Sequence, residues 1–151
     1  MGVYSLSEAW DNELLWAHYT NSHTGFCIEY ELDDLILEKS KTVIFPKIIK
    51  IIYSEEPPVY SLEGMDNITF DLLLNTLIGT KSIPWGYEDE IRILFKNKGK
   101  QEINSNAIKS IIFGYRASDK DIKKTISLMP NRLSYHKIEI ANNYQLLKKP
   151  L

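Results

Sequence analysis

The sequence predicts an α+β fold, a mixed and mainly antiparallel sheet of about six or seven strands with three or four helices packed on it. Two stretches of apolar and polar alternation, residues 25–32 and 88–96, read as half-buried strands. Two windows with helical patterning, residues 66–79 and 118–129, supply much of the cover. With 151 residues, 44% hydrophobic and 25% charged, and with neither an internal repeat nor a low-complexity linker, the chain is expected to form one domain over 1–151. This composition excludes a disordered, collagen-like or disulfide-stapled protein.

In chain order, residues 3–7 read as a short strand and residues 10–20 as a helix in which Asp11, Leu14, Leu15 and His18 share one face. Residues 21–25 turn the chain. In the strand that follows, Phe26, Ile28, Tyr30 and Leu32 face one way and Cys27, Glu29 and Glu31 the other. Asp33 or Asp34 caps a short helix through Leu37, Pro46 breaks the chain, and the β-branched run 47–53 forms a strand that ends at Glu55, Glu56, Pro57 and Pro58. The helix 66–79 has Asp66 as its cap, Phe70, Leu73, Leu74 and Leu77 toward the core and Gly79 at its stop.

The strand 88–96 sends Ile91, Ile93 and Phe95 to one face and Glu88, Glu90 and Arg92 to the other. Residues 107–113 are expected as the second arm of a hairpin across the polar loop 97–106, whose exposed end carries Lys96, Lys98 and Lys100. Ser118 and Asp121 have capping-box spacing for a helix that stops before Pro130. Residues 133–141 and 144–148 then make two strands turning at Asn142 and Asn143.

Charge is unevenly distributed. Residues 1–75 hold 13 acidic and 4 basic side chains, and residues 76–151 hold 7 and 14. A basic second half suits a phosphate-rich partner, nucleic acid included, although halves that fold against each other would cancel their fields. The single cysteine, Cys27, cannot bridge internally and points to a reducing compartment, most simply the cytoplasm. No segment approaches the roughly 20 apolar residues of a membrane span, and the first residues lack the regions of a signal peptide.

The first candidate site is the run from Trp85 to Arg92. On a strand, Glu88 and Glu90 lie on one face about 7 Å apart at Cα. Neighbouring carboxylates raise each other's proton affinity, so one is expected to keep its proton near neutrality while the other acts as base or charge stabiliser. Arg92 moderates that pair or binds an anion, and Trp85 and Tyr87 suit a ligand cleft. The plainer alternative is a solvated polar surface.

The second candidate is His18 with Tyr19, where His18 is either a catalytic base or a neutral core histidine. His18, His23 and Cys27 match no metal-ligand spacing, and a free cysteine most often behaves as a small buried hydrophobe. The Gly114 turn with Arg116 could cradle a phosphate, but Asp119 and Asp121 favour a simple capped helix.

Three ordered stretches carry a resemblance. They are Leu15, Trp16, His18 and Tyr19 with His23, Gly25, Cys27 and Ile28; Lys81, Trp85, Tyr87, Glu88, Glu90 and Arg92; and Ile111, Gly114 and Arg116. In this order they resemble the bacterial domain-of-unknown-function 2971 family over about residues 2–145. Members of that family usually have a further N-terminal region, so the resemblance implies a shortened member, the C-terminal part of a longer family domain.

A second likeness concerns mechanism. Ser5 and Ser7 followed by Glu88 and Glu90 resemble the Ser-x-Ser and Glu-x-Glu parts of the ADP-ribosyltransferase signature, whose arginine strand this chain lacks. That resemblance implies NAD as the bound nucleotide, with Glu90 on the ribose hydroxyl, Glu88 orienting the acceptor, and Ser5 and Ser7 steadying the pocket. The leading expectation is a polar cleft built from His18, Tyr19, Trp85, Glu88, Glu90 and Arg92. The rival is a non-catalytic module for protein or nucleic acid in a phage-defence or mobile-element setting.

Overall fold

Alternation at residues 90–95 and an unbroken apolar run at residues 111–113 build two different sheets, each at the centre of its own compact unit. A computed structural model describes residues 1–36, 45–59 and 70–151. The first unit comprises Met1–Ala9 with Ser40–Lys100, and the second Trp10–Lys39 with Gln101–Leu151. The fold class is α+β as predicted, but the described strands form three sheets rather than one.

In the first unit β6 (Glu90–Phe95) lies between β1 (Gly2–Ser7) and β3 (Lys47–Lys50), antiparallel to both. Leu94 packs with Ile49 of β3 and with Leu74 of α3 (Phe70–Ile78), with Ile78 beside them. Leu77, expected in the core, is exposed, because the inward side of α3 is centred on Leu74 and Ile78. The run 47–53 is not one strand. Ile51 N donates to Glu90 O (3.0 Å) whereas Ile52 N donates to Gly79 O (2.7 Å), so the chain changes partner at this point. Beyond it, β4 (Ile52–Ser54) pairs in parallel with β5 (Thr80–Ser82). The anticipated cap Asp66 and helix end Leu37 lie outside the described residues.

In the second unit the sheet order is β2 (Phe26–Tyr30), β7 (Ile108–Phe113), β8 (Ser134–Ile140) and β9 (Leu146–Pro150). The hairpin expected between residues 88–96 and 107–113 does not form, since β6 and β7 belong to different sheets. Instead β7 runs parallel to β8 through α4 (Asp119–Leu128), and the 133–150 hairpin forms as anticipated. A short helix, α2 (Leu32–Leu35), follows β2.

Helices cover residues 111–113 of β7 on both faces, which accounts for the apolar run there. On one side α4 packs through Ile122 against Ile111 and Phe113. On the other, α1 (Glu13–Tyr19) buries Trp16 against Ile112, Ile138 and Leu146. The indole Nε1 donates to Trp10 O (2.7 Å), so the ring is fixed at its polar edge too. Burying this one large ring rotates α1 away from the predicted face, leaving Leu14 and His18 exposed.

Gly114 marks the tightest contact of the second unit. A Cβ there would sit 2.1 Å from the carbonyl oxygen of His23, and residues 21–23 hold that carbonyl in place with three consecutive positive φ values of 50°, 55° and 67°. Arg116 N donates to the same oxygen (3.1 Å) and Gly114 N to Gly25 O (2.9 Å). Farther on, the Ser118 hydroxyl accepts from Asp121 N (3.1 Å) and caps α4 as predicted. Gly114→Ala is therefore expected to cost about 1–3 kcal/mol through overpacking against backbone, and Ser118→Ala about 1 kcal/mol through the lost cap. Urea unfolding of both variants measures the two losses.

Candidate functional site

Pairing of β1 with β6 sets Ser5 opposite Arg92 and Ser7 opposite Glu90. Partners in register project to the same face, so these four side chains share one side of the first unit's sheet. Glu88 arrives by a different route. A 3-10 turn, Ile83–Glu88, begins with Pro84 and ends at Asp89, whose left-handed φ of 42° redirects the chain into β6. Glu88 thus belongs to this turn and not to the strand, yet both glutamates are only 5% exposed. A solvated polar surface does not describe them.

Lys81 of β5 joins the two carboxylates. Its Nζ donates to Glu88 Oε2 and, at 3.1 Å, to Glu90 Oε2. Arg92 grips Glu90 in a fork, Nε to Oε1 at 2.8 Å and Nη2 to Oε2 at 3.0 Å, while its Nη1 donates to Ile78 O at the end of α3. Tyr53 on β4 receives the Glu90 backbone N–H on its hydroxyl (2.9 Å), and Ser7 Oγ donates to Glu88 O. Two acids and two bases leave this cluster formally neutral.

Burial alone would raise the proton affinity of Glu90, but hydrogen bonds from Arg92, Ser5 and Lys81 outweigh it and hold its pKa at about 2. Of the two expected roles, proton keeper and charge stabiliser, Glu90 is therefore suited to the second. It is a permanent anion. Burial works to lower the Lys81 pKa, yet its bonds to Glu88 and Glu90 raise it, so this lysine is a permanent cation.

Trp85 brings an aromatic wall, with Lys81 Nζ lying 4.9 Å from the centroid of its ring and Tyr87 6.0 Å away, tilted by 35°. The indole remains 42% exposed, which gives the cluster a face to solvent. Sequence reasoning assigned no role to Lys81 or Tyr53. Lys81 stands in the same motif as the glutamates, and a second cation there to match the second acid was the available signal. Tyr53 offered none, because its role depends on β4 leaving β3.

His18, Tyr19 and Arg116 belong to the second unit. His18 and Tyr19 are exposed on α1, and the backbone of Arg116 serves the Gly114 contact. Burial pushes the Cys27 thiol up to about 11, which makes it inert as a nucleophile. Near it Glu29 accepts from Ser110 Oγ and from Lys148 Nζ (2.8 Å), and Lys148 Nζ lies 4.4 Å from the Trp10 ring centroid. Those two bonds, Lys148 first, outweigh burial and lower the Glu29 pKa. Among the described residues, no group of three His, Cys, Asp or Glu side chains could hold a metal ion, and no helix is long and apolar enough to cross a membrane.

Residues 15–93 match the family described as Protein of unknown function (DUF2971). The chain belongs to this family. The match includes Lys81, Trp85, Glu88, Glu90 and Arg92, so the whole charge cluster apart from its β1 serines lies on the family's own stretch. The third motif, ending at Arg116, lies beyond the matched residues. No curated protein and no solved structure matches the chain.

Two pH effects follow from these environments. The Glu90 pKa falls from an ordinary 4.5 to about 2, so its stabilisation is complete above pH 4.5 and disappears as pH drops toward 2. Glu90→Gln should then cost about 3 kcal/mol at pH 7, and denaturant titrations should find that deficit shrinking steadily between pH 4.5 and 2. His23 behaves similarly from a higher start. Desolvation lowers its pKa below 6.5, with Glu13 opposing and Arg116 assisting, and its Nδ1 is buried without a partner. Its contribution is present above pH 6.5 and lost on acidification, so a neutral His23→Gln variant should show a flatter stability profile below pH 6.5.

Proposed function

We propose that the first unit carries an ADP-ribosyltransferase-like site for NAD, in which Glu90 stabilises positive charge developing on the ribose. The observation that supports this most directly is the meeting of the two serines with the two glutamates. Ser5 bonds to the Glu90 carboxylate and Ser7 to the Glu88 backbone, 81 positions along the chain in the latter case. A glycosidic bond that breaks with its electron pair leaving on nicotinamide makes an oxocarbenium-like centre, which a fixed carboxylate stabilises.

A carboxylate held at a pKa of about 2 is unsuited to donating a proton and suited to this electrostatic role. Ser5 and Arg92 fix its position before any ligand arrives, so the carboxylate itself reorganises little during the reaction. Glu88, close to the half-exposed Trp85, is placed to orient an acceptor, and the indole offers a flat surface for the nicotinamide ring.

A thermal-unfolding scan tests the reading. NAD at 100 times its dissociation constant should stabilise the protein by about 2.7 kcal/mol, a rise of roughly 5–10 °C in Tm. Nicotinamide release should fall by about 10²–10³-fold in Glu90→Gln, and more mildly in Ser5→Ala, which keeps both cations. Folded protein with neither a shift nor release would sink this reading and favour the rival interaction module, for which α4 presents exposed Lys120, Lys123 and Lys124. The signature of that rival is nucleic-acid binding that weakens steeply with salt.

A further inference from the structure

Lys81 and Arg92 neutralise the same pair of carboxylates in different ways. Arg92 is locked by its fork on Glu90 and its bond to Ile78 O. Lys81 is a point charge on a flexible four-carbon stem, and its side chain is 22% exposed. Around its ammonium stand Glu88, Glu90 and, at 4.9 Å, the face of Trp85. Two carboxylates and an indole face are what a cage for an organic cation requires. With Lys81 withdrawn, the two carboxylates lose the one cation they share, and a ligand carrying one positive charge would replace it.

We propose that Lys81 is a built-in competitor for a ligand's cation, and that Glu88, Glu90 and Trp85 bind an N-alkylpyridinium group when the Lys81 ammonium swings out. This rests on the reading of the site as one for NAD, whose oxidised ring is such a cation and whose reduced ring is neutral. The same exchange lets the site distinguish the two redox forms by charge. It also sets a threshold. A site whose competent form is populated to a fraction f binds with a dissociation constant raised by 1/f, about tenfold if Lys81 fills the cage in about nine molecules of ten.

Calorimetric titration of the full chain with 1-methylnicotinamide tests the exchange. Lys81→Gln should bind this cation at least about tenfold more tightly than the wild type, Lys81→Arg should show no such gain, and neutral nicotinamide should gain nothing from either change. Equal affinity of wild type and Lys81→Gln for the cation overturns the proposal. If Lys81→Gln does not fold, the wild type still decides. Acetylation of Lys81 by acetic anhydride, followed by mass spectrometry, should speed up with 1-methylnicotinamide and not with nicotinamide, and a rate that neither compound changes overturns the proposal. Glu90-dependent nicotinamide release without the exchange would remove the competitor and leave the transferase reading standing. The exchange without release would do the reverse.

Discussion

Two carboxylates taken out of water within one short segment are the constraint that organises the first unit. An uncompensated buried charge costs several kcal/mol, so Glu88 and Glu90 demand cations from elsewhere in the chain. Lys81 answers from β5 and Arg92 from β6 itself, while Ser5 reaches Glu90 from β1. Tyr53 completes the arrangement by receiving the Glu90 amide. Four strands and the 3-10 turn are thereby tied to one electrostatic centre. Arg92 extends the tie to the end of α3 through Ile78 O.

The second unit solves a simpler problem. The last three residues of its strand β7, Ile111, Ile112 and Phe113, are apolar on both faces, and the two helices that cover them do so by packing. The polar group of Glu29, Ser110 and Lys148 lies on the same face as Cys27, next to Trp10, and repeats in small form the lysine, carboxylate and indole combination of the first unit. Among the described residues Lys148 pairs with Glu29 alone, so the local charge balances as a single pair.

Much of this was legible in the sequence where the signal is local. The strand read over residues 88–96, the Ser118 cap and the hairpin read over residues 133–148 all depend on residues a few positions apart, and all three form, the first without Glu88. What escaped depends on partners far along the chain. Nothing near residue 51 announces that its neighbours bond to Glu90 and to Gly79, so one strand was read where two exist. Trp16 outweighs Leu14 and His18 only because a pocket of Ile112, Ile138 and Leu146 awaits it. The site was half visible: the motif named Glu88, Glu90 and Arg92, but the low pKa of Glu90 depends on Ser5 and Lys81 as well as Arg92, and only the folded chain brings these together.

The way the sequence is threaded through the two units also constrains how the protein can emerge from a ribosome. Each unit is assembled from an early and a late segment, residues 1–9 with 40–100 and residues 10–39 with 101–151. During synthesis β1 has no β6 to pair with until residue 95 is made, and β2 waits still longer for β7. At about 5–20 residues per second, the first unit has its whole sequence several seconds before the second. Through that interval β2 and the apolar side of α1 are nascent chain without a sheet. A pause in translation after residue 100 would therefore extend the life of a half-folded species whose unpaired segment includes Phe26, Ile28 and Trp16, making aggregation during synthesis sensitive to codon choice over residues 101–151.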